Sequence, residues 1–514
     1  MRRLLSLALV CALCLPLAGC LAPEPAEPEA FWEVSEPDVS APDSAAEEPV
    51  FTLPYLSSQT LDPIACSDGV QQVVGSLLYE GLFALDEGFS AENALCASYA
   101  VSANGLTYTF ALRGDAAFSD GSPLTAADVL AAYRRAKASE RYAARFANIV
   151  AMRVSREAFV VTLLRADSAL PALLDIPIVK SGTEKDAVPL GTGAYRFVSG
   201  EGGAYLARSE SWWGDGGGLP ERIALSPAKD ADTAVYLFSA RRAHLLTADL
   251  LGDTPAASLG GVALDDADTT ALLFLGFNTR SAALADTTLR AAMGAALDRE
   301  TVAATLLAGH ARAAQFPISP ASPLYPAALE AAYAPDAYAA ALEARRPSGA
   351  KAPTSDAPLE LTLLVNEENT FKTALADYLA QALTKSYLSV TPVALPWAEY
   401  LDALKNRRFD LWLGEVRLTA DWNLAPLIGA GGALNYGGYA DAATDAALAA
   451  FLADESEATA AALCERLAAE TPLLPIAFKS VSVLTPAGLI DGVSPTATRP
   501  LRALERWGFQ WVEE

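Results

Sequence analysis

The chain has 514 residues, with 37 Lys and Arg against 62 Asp and Glu, a net charge of −25 at pH 7. At about 150 residues per domain this length predicts about three domains or lobes, enough to bury a large core without disulfides or metals. The acidity argues against a nucleic-acid binder, which needs basic patches to neutralise phosphate, and with only His244 and His310 a histidine-rich metal site is excluded as well.

The N-terminus reads as an address. Arg2 and Arg3 precede an apolar run from Leu4 to Leu15, too short to span a bilayer comfortably and typical of a secretory signal. Leu17-Ala18-Gly19-Cys20 resembles the lipobox of bacterial lipoproteins, which implies cleavage before Cys20 and lipidation of that residue. Residues 21–49 hold six Pro and nine Asp or Glu and neither Lys nor Arg, the composition of an extended tether. The folded body is expected from about Val50 onward.

Phe51–Tyr55 predicts a short strand, followed by a turn at Leu61-Asp62-Pro63. Val70–Glu80 has helical spacing and stops at Gly81. Asn104-Gly105 is a hairpin signal ahead of Leu106–Arg113, which alternates as a half-buried strand should. Thr125 caps a helix over Ala126–Lys137, with Asp128 three residues on, where the helix dipole favours an acid. Pro189–Phe197 is a Gly-rich turn entering a strand. Asp265-Asp266-Ala267-Asp268 lacks calcium-loop spacing and reads as a solvated loop. Leu272–Phe277 is a continuous apolar run, suited to a strand covered on both faces. Leu289–Leu297 and Arg299–Leu307 predict helices, and 345–358 a loop. Then come a strand (Leu359–Val365), a helix (Phe371–Leu383), an edge strand carrying Pro392 (Val390–Leu395), a helix (Tyr400–Lys405) and a strand (Phe409–Gly414). That order predicts an α/β lobe with some parallel pairing. Asp441–Leu467 is a long Ala-rich helical region, and Ile476–Leu484 a strand.

Enzyme signatures are missing: HExxH, GxSxG and the phosphate loop are all absent. Gly191-Thr-Gly193-Ala-Tyr195 lacks the third glycine of a dinucleotide fingerprint and is read as serving backbone geometry. Cys66, Cys96 and Cys464 show no zinc spacing. Sequence alone leaves open a Cys66–Cys96 disulfide, and three buried free thiols are expected. Neither a cofactor nor a metal is called for.

Several stretches together resemble one family. They are Leu61-Asp-Pro63, Leu78-Tyr-Glu-Gly-Leu82, Gly105–Arg113, Phe118–Val129, Gly191–Tyr195, Ser211-Trp-Trp-Gly214, Phe277-Asn-Thr279, Ala295–Arg299, Phe409-Asp-Leu411, Asn435-Tyr436 and Leu474-Pro-Ile476. In this order they resemble the extracellular solute-binding proteins of ABC importers, in the oligopeptide, dipeptide and nickel class. The resemblance implies an α/β fold, a two-lobed periplasmic-binding-protein-like (type II) clamshell with an additional domain inserted in the first lobe. By that analogy lobe I comprises 50–83, 187–276 and 474–514, the inserted domain 84–186, and lobe II 277–473. It also implies a monomeric, lipid-anchored receptor on the outer face of the cytoplasmic membrane, capturing a peptide-like solute for a permease. A binder of a metal chelate, sugar or amine on the same fold, and a non-transport sensor, are the alternatives. An extracellular hydrolase is less favoured, because nucleophile–base motifs are missing.

The strand from Leu411 ends in alternating polar residues, Glu415, Arg417 and Asp421, where lobe edges of α/β folds meet ligands. Asp421, in Ala-Asp-Trp-Asn, resembles the family's Ala-Asp-Tyr segment, whose acid pairs with a peptide α-ammonium; the other reading is a turn cap. Arg417 either meets a ligand carboxylate or neutralises Glu415. Trp397 and Trp422 either wall the pocket or pack in the core. Tyr55 is expected, by family analogy, to line the opposite lobe, with Tyr436 a further candidate. Leu418 replaces the Trp of the family's Gly-Trp-x-Ala-Asp pattern, which puts peptide length and identity in doubt.

Overall fold

The computed structural model describes residues 50–252, 254–349 and 351–511. The expected leader, Cys20 and the tether lie outside the described residues. Thr52–Leu56 forms a strand at the edge of a four-stranded sheet, parallel to Arg222–Ala228, with Gly203–Arg208 and Tyr195–Gly200 beyond. About 140 residues of chain separate that first strand from the rest of its sheet, and they build a structure of their own. Four antiparallel strands (Cys96–Val101, Thr107–Leu112, Ala158–Leu163, Ile149–Ser155) carry the helix Ala126–Lys137 on one face. Phe110, Phe159 and Tyr133 are fully buried between helix and sheet.

The expected capping box is formed. Thr125 Oγ1 accepts from the Asp128 N–H at 3.4 Å, and the Asp128 carboxylate accepts from the Thr125 N–H at 3.1 Å. Gly105 turns the hairpin with φ +69°. Gly191 and Gly193 lie against the end of the helix Gly69–Leu78. A Cβ on Gly191 would sit 2.0 Å from the Leu78 carbonyl oxygen, and one on Gly193 2.3 Å from that of Leu77. Close backbone approach, not phosphate binding, explains this Gly-rich turn.

The large sheet runs in the order Leu246–Ala248, Leu473–Pro486, Val262–Phe277, Leu411–Arg417, Leu359–Asn366, Leu388–Leu395, with Ala311–Ala313 also on Leu473–Pro486. Leu359–Asn366 is parallel to both its neighbours, and the Pro392 strand is at the edge, as the sequence pattern predicts. The apolar run at 272–277 is covered on both sides. Leu273, Leu275 and Phe277 enter one core with Leu375 and Leu379 of the helix Thr370–Leu383. Leu272 and Phe274 enter another with Phe451 and Leu463. A side-chain period of two places successive apolar residues in two different cores.

Two expectations need correction. Asp265–Asp268 is not a loop: it belongs to the 16-residue strand Val262–Phe277, paired along Leu473–Pro486. One end of this long antiparallel pair meets Leu246–Ala248 and the other meets Leu411–Arg417, so the two strands link segments expected in lobe I to segments expected in lobe II. Their register shifts between Asp268 and Leu272, where the Thr269 hydroxyl donates to the Lys479 carbonyl at 2.6 Å. The Ala-rich region near 441–467 is two helices, Ala442–Ala453 and Glu457–Glu470, the second capped by Ser456. Cys66, Cys96 and Cys464 are free and buried.

Candidate functional site

A cavity of about 610 Å³ lies where the parts of the fold converge. The N-terminal half of the strand Val262–Phe277 forms one wall and residues 417–420 another. The 85–89 turn, Arg141 and Arg145 from the inserted region, and the C-terminal segment 493–498 complete it. Sites of this size at domain junctions are the usual place for a small ligand.

The cavity wall is rich in charge, and most of it is already engaged. Asp268 receives two hydrogen bonds from Arg312, at 3.1 and 2.7 Å. Asp266 pairs with His310 Nδ1 at 2.9 Å and accepts from Ser482. Glu87 pairs with Arg502. Asp86 accepts the Gly88 and Ser90 N–H groups, each at 2.8 Å. Arg141 donates to the Cys66 carbonyl and to Gln72, at 2.9 and 3.0 Å. Arg145 pairs with Asp175; burial works to lower its guanidinium, but the carboxylate beside it prevails and holds it above its ordinary value. Among the described residues, no ion pair or side-chain hydrogen bond reaches Arg417 or Asp265.

The structure places the sequence-selected residues unevenly. Arg417 lines the cavity, together with Leu418 and Thr419. It does not pair with Glu415. That carboxylate instead lies 2.8 Å from Lys372 and 3.5 Å from the buried Lys479, which also meets Asp249. Burial alone would raise the Glu415 carboxyl, but the two lysines outweigh it and hold it low. Asp421 stands one layer behind the wall. It is 3% exposed and accepts from the Thr419 hydroxyl and, at 3.3 Å, from the Asn423 N–H. Trp422 is core: it is 1% exposed and packs edge-on against Phe89 and Phe478. Its φ of +50° is unusual for a bulky residue and marks a strained turn at the cavity rim. Trp397 is 53% exposed and stacks on Tyr400. Tyr55 packs on Phe197, and Tyr436 on Trp412. None of Glu415, Asp421, Trp422, Trp397, Tyr55 and Tyr436 is among the residues lining the cavity.

Asp421 has company that local sequence gave no sign of. The inserted region's Ser168 donates its N–H to the Leu452 carbonyl and accepts the Glu455 N–H at its hydroxyl, both at 2.9 Å. This contact groups Asp167, Asp421 and Glu455. Burial and then Asp421 push the Asp167 carboxyl up to about 7. Burial, then Asp421 and Asp167, push Glu455 up to about 9. Burial also raises Asp421, against the hydrogen bonds from Thr419 and Asn423. His244 is occupied structurally: its Nδ1 accepts the Thr52 N–H at 3.0 Å.

A clamshell with a charged cavity at the lobe junction defines a binding protein of the solute-receptor type, and comparison with known proteins agrees. The family model "Bacterial extracellular solute-binding proteins, family 5 Middle" matches residues 90–428, and the chain belongs to that family. Its members are binding proteins rather than enzymes. The glutathione-binding protein GsiB of Salmonella choleraesuis is 30% identical over 200 residues, 36% of this chain and 39% of that protein. The chain thus matches well under half the length of such curated relatives. HbpA2 from Haemophilus parasuis shares the fold, with a TM-score of 0.72 at 18% identity over 90% of this chain and 99% of that one. So does the oligopeptide-binding protein AppA from Bacillus subtilis, solved with a nonapeptide, at a TM-score of 0.59 and 18% identity over 90% and 98%.

Proposed function

We propose that this protein is the lipid-anchored receptor of an ABC importer, holding a peptide or peptide-like solute between its lobes and delivering it to a membrane permease. The observation that carries the reading is the 610 Å³ junction cavity with the unpaired guanidinium of Arg417 in its wall. The Arg417 side chain is exposed and has no anionic partner among the described residues, which leaves its guanidinium available for a bidentate bond with a ligand carboxylate. Asp421 is a positioning residue in this scheme: it accepts from the Thr419 hydroxyl and so fixes which way that lining group faces. The lobes close over the solute by bending where the long strands cross. AppA, a structural relative, holds a peptide, and GsiB, a sequence relative, is a glutathione binder; both support a peptide-like ligand. Lipidation at Cys20 would keep the receptor beside its permease at the outer face of the membrane.

Mass spectrometry of small molecules released by denaturing the natively purified protein tests the reading. Heterogeneous short peptides are expected, and calorimetry with those peptides should show Arg417→Gln weakening binding about ten- to hundredfold. A single non-peptide species, or peptide affinity that Arg417→Gln leaves untouched, would overturn it.

A further inference from the structure

We propose that Asp265, on the strand that crosses between the lobes, receives the cationic end of the ligand whose anionic end meets Arg417. This rests on the peptide-receptor reading and names a residue that the family resemblance does not supply. Resemblance points to Asp421, yet that carboxylate is 3% exposed, behind the wall, and occupied by Thr419 and Asn423. Within the wall itself the acids sort by what already holds them. Asp266 and Asp268 serve His310 and Arg312, Glu87 serves Arg502, and Asp86 closes its own turn. Asp265 lines the same cavity and has no such partner among the described residues. Arg417 and Asp265, each without an ion partner among the described residues, share this cavity and together are the complement of a zwitterion.

Their spacing sets a length. Arg417 is in register with Ala271, six positions beyond Asp265 on the same strand. At about 3.3 Å per residue that is roughly 20 Å. An extended chain covers about 3.3–3.6 Å per residue, so roughly four to six residues join the two charges once the long Arg side chain reaches inward. Asp265 is partly shielded from water, and burial together with the adjacent Asp266 raises its carboxyl above the usual range. An arriving ammonium relieves that repulsion, which makes the position receptive to a cation and unwelcoming to an anion.

The test is calorimetric titration of the full-length protein with penta-alanine in three forms: unblocked, N-acetylated and C-amidated. With the wild type, acetylation and amidation should each weaken binding about ten- to hundredfold, the loss of a charge-assisted contact. Asp265→Asn should bind the unblocked peptide as weakly as the wild type binds the acetylated one, and acetylation should then cost nothing further. Amidation should keep its full effect. Asp265→Glu, which restores the charge, should recover part of the acetylation penalty, and matching thermal unfolding would confirm that both variants fold. If Asp265→Asn retains the whole acetylation penalty and Asp421→Asn abolishes it, the cation is held at Asp421; the present assignment falls while the peptide receptor stands. A wild type that binds none of the three forms overturns the receptor reading and this inference with it.

Discussion

Replacing Glu455 by Gln should stabilise the protein at alkaline pH and leave it unchanged at acid pH. Glu455 lies at the contact between the inserted region and the second lobe, beside Asp167 and Asp421, with one carboxylate oxygen buried and unpartnered. Its carboxyl is pushed from an ordinary value of 4.5 up to about 9. A carboxyl raised in the folded state contributes fully below its unfolded value and loses that contribution as pH climbs toward the folded value. The unfolded chain releases a proton that the folded chain must keep. The window therefore runs from 4.5 to about 9. At pH 8 the proton is held about 3.5 units above the unfolded value, and at about 1.4 kcal/mol per unit the ceiling is about 5 kcal/mol. Solvent at the accessible edge of the side chain, and protons shared with Asp167 and Asp421, bring the expected gain for Glu455→Gln to about 2 kcal/mol. Gln keeps the shape and removes the titration. Thermal unfolding should show a rise of about 2 °C at pH 8 and none at pH 4.5. An equal rise at both would assign the gain to packing, and a fall at pH 8 would mean that Glu455 is ionised and paired; either refutes the argument.

Glu415→Gln should act in the opposite sense. Its carboxyl is held low by Lys372 and Lys479, so its contribution exists above the unfolded value and fades as pH falls through the folded one. A loss of about 1–2 kcal/mol at pH 7, shrinking toward pH 4, is expected from denaturant titration, since Lys479 keeps Asp249 as a partner. Gly191→Ala forces a Cβ to within 2.0 Å of a backbone oxygen and should cost about 3 kcal/mol or more, or prevent folding. Gly200→Ala, with nothing within 4 Å of the new Cβ, is the control and should express and melt like the wild type.

How much of this was legible in the sequence depends on the range of the force involved. Thr125 with Asp128, the Asn104-Gly105 turn and the alternation at 107–112 are local signals, and the structure follows them. The run at 272–277 was legible because burial on both faces leaves only apolar residues. The same strand was illegible just upstream: Asp265–Asp268 looked solvated because the partners that place them in a sheet, Ser482 and Arg312, are 216 and 44 residues away. The break at 454–456 has neither Gly nor Pro to announce it, only the Ser456 cap. At the site, Arg417 was readable as a polar strand end. Whether Trp422 or Trp397 faced a pocket was not, since exposure of an aromatic is decided by tertiary neighbours, here Phe89 and Phe478 for one and solvent for the other. The grouping of Asp167 with Asp421 and Glu455 had no sequence signal, because it depends on how the inserted region rests on the second lobe.

The paired strands Val262–Phe277 and Leu473–Pro486 constrain what the two halves of the molecule can do. A continuous antiparallel ladder cannot slide without breaking every rung and turning each side chain to the wrong face. Bending and twisting are the motions left, and they concentrate where the register shifts, between Asp268 and Leu272 beside Thr269 and again between Leu273 and Phe274. The lobes therefore share essentially one coordinate, an angle. In the receptor proposed above, solutes of different size and sequence would be translated into values along that single axis, and a permease touching the outer rims would read whether the cleft is filled while remaining blind to what fills it.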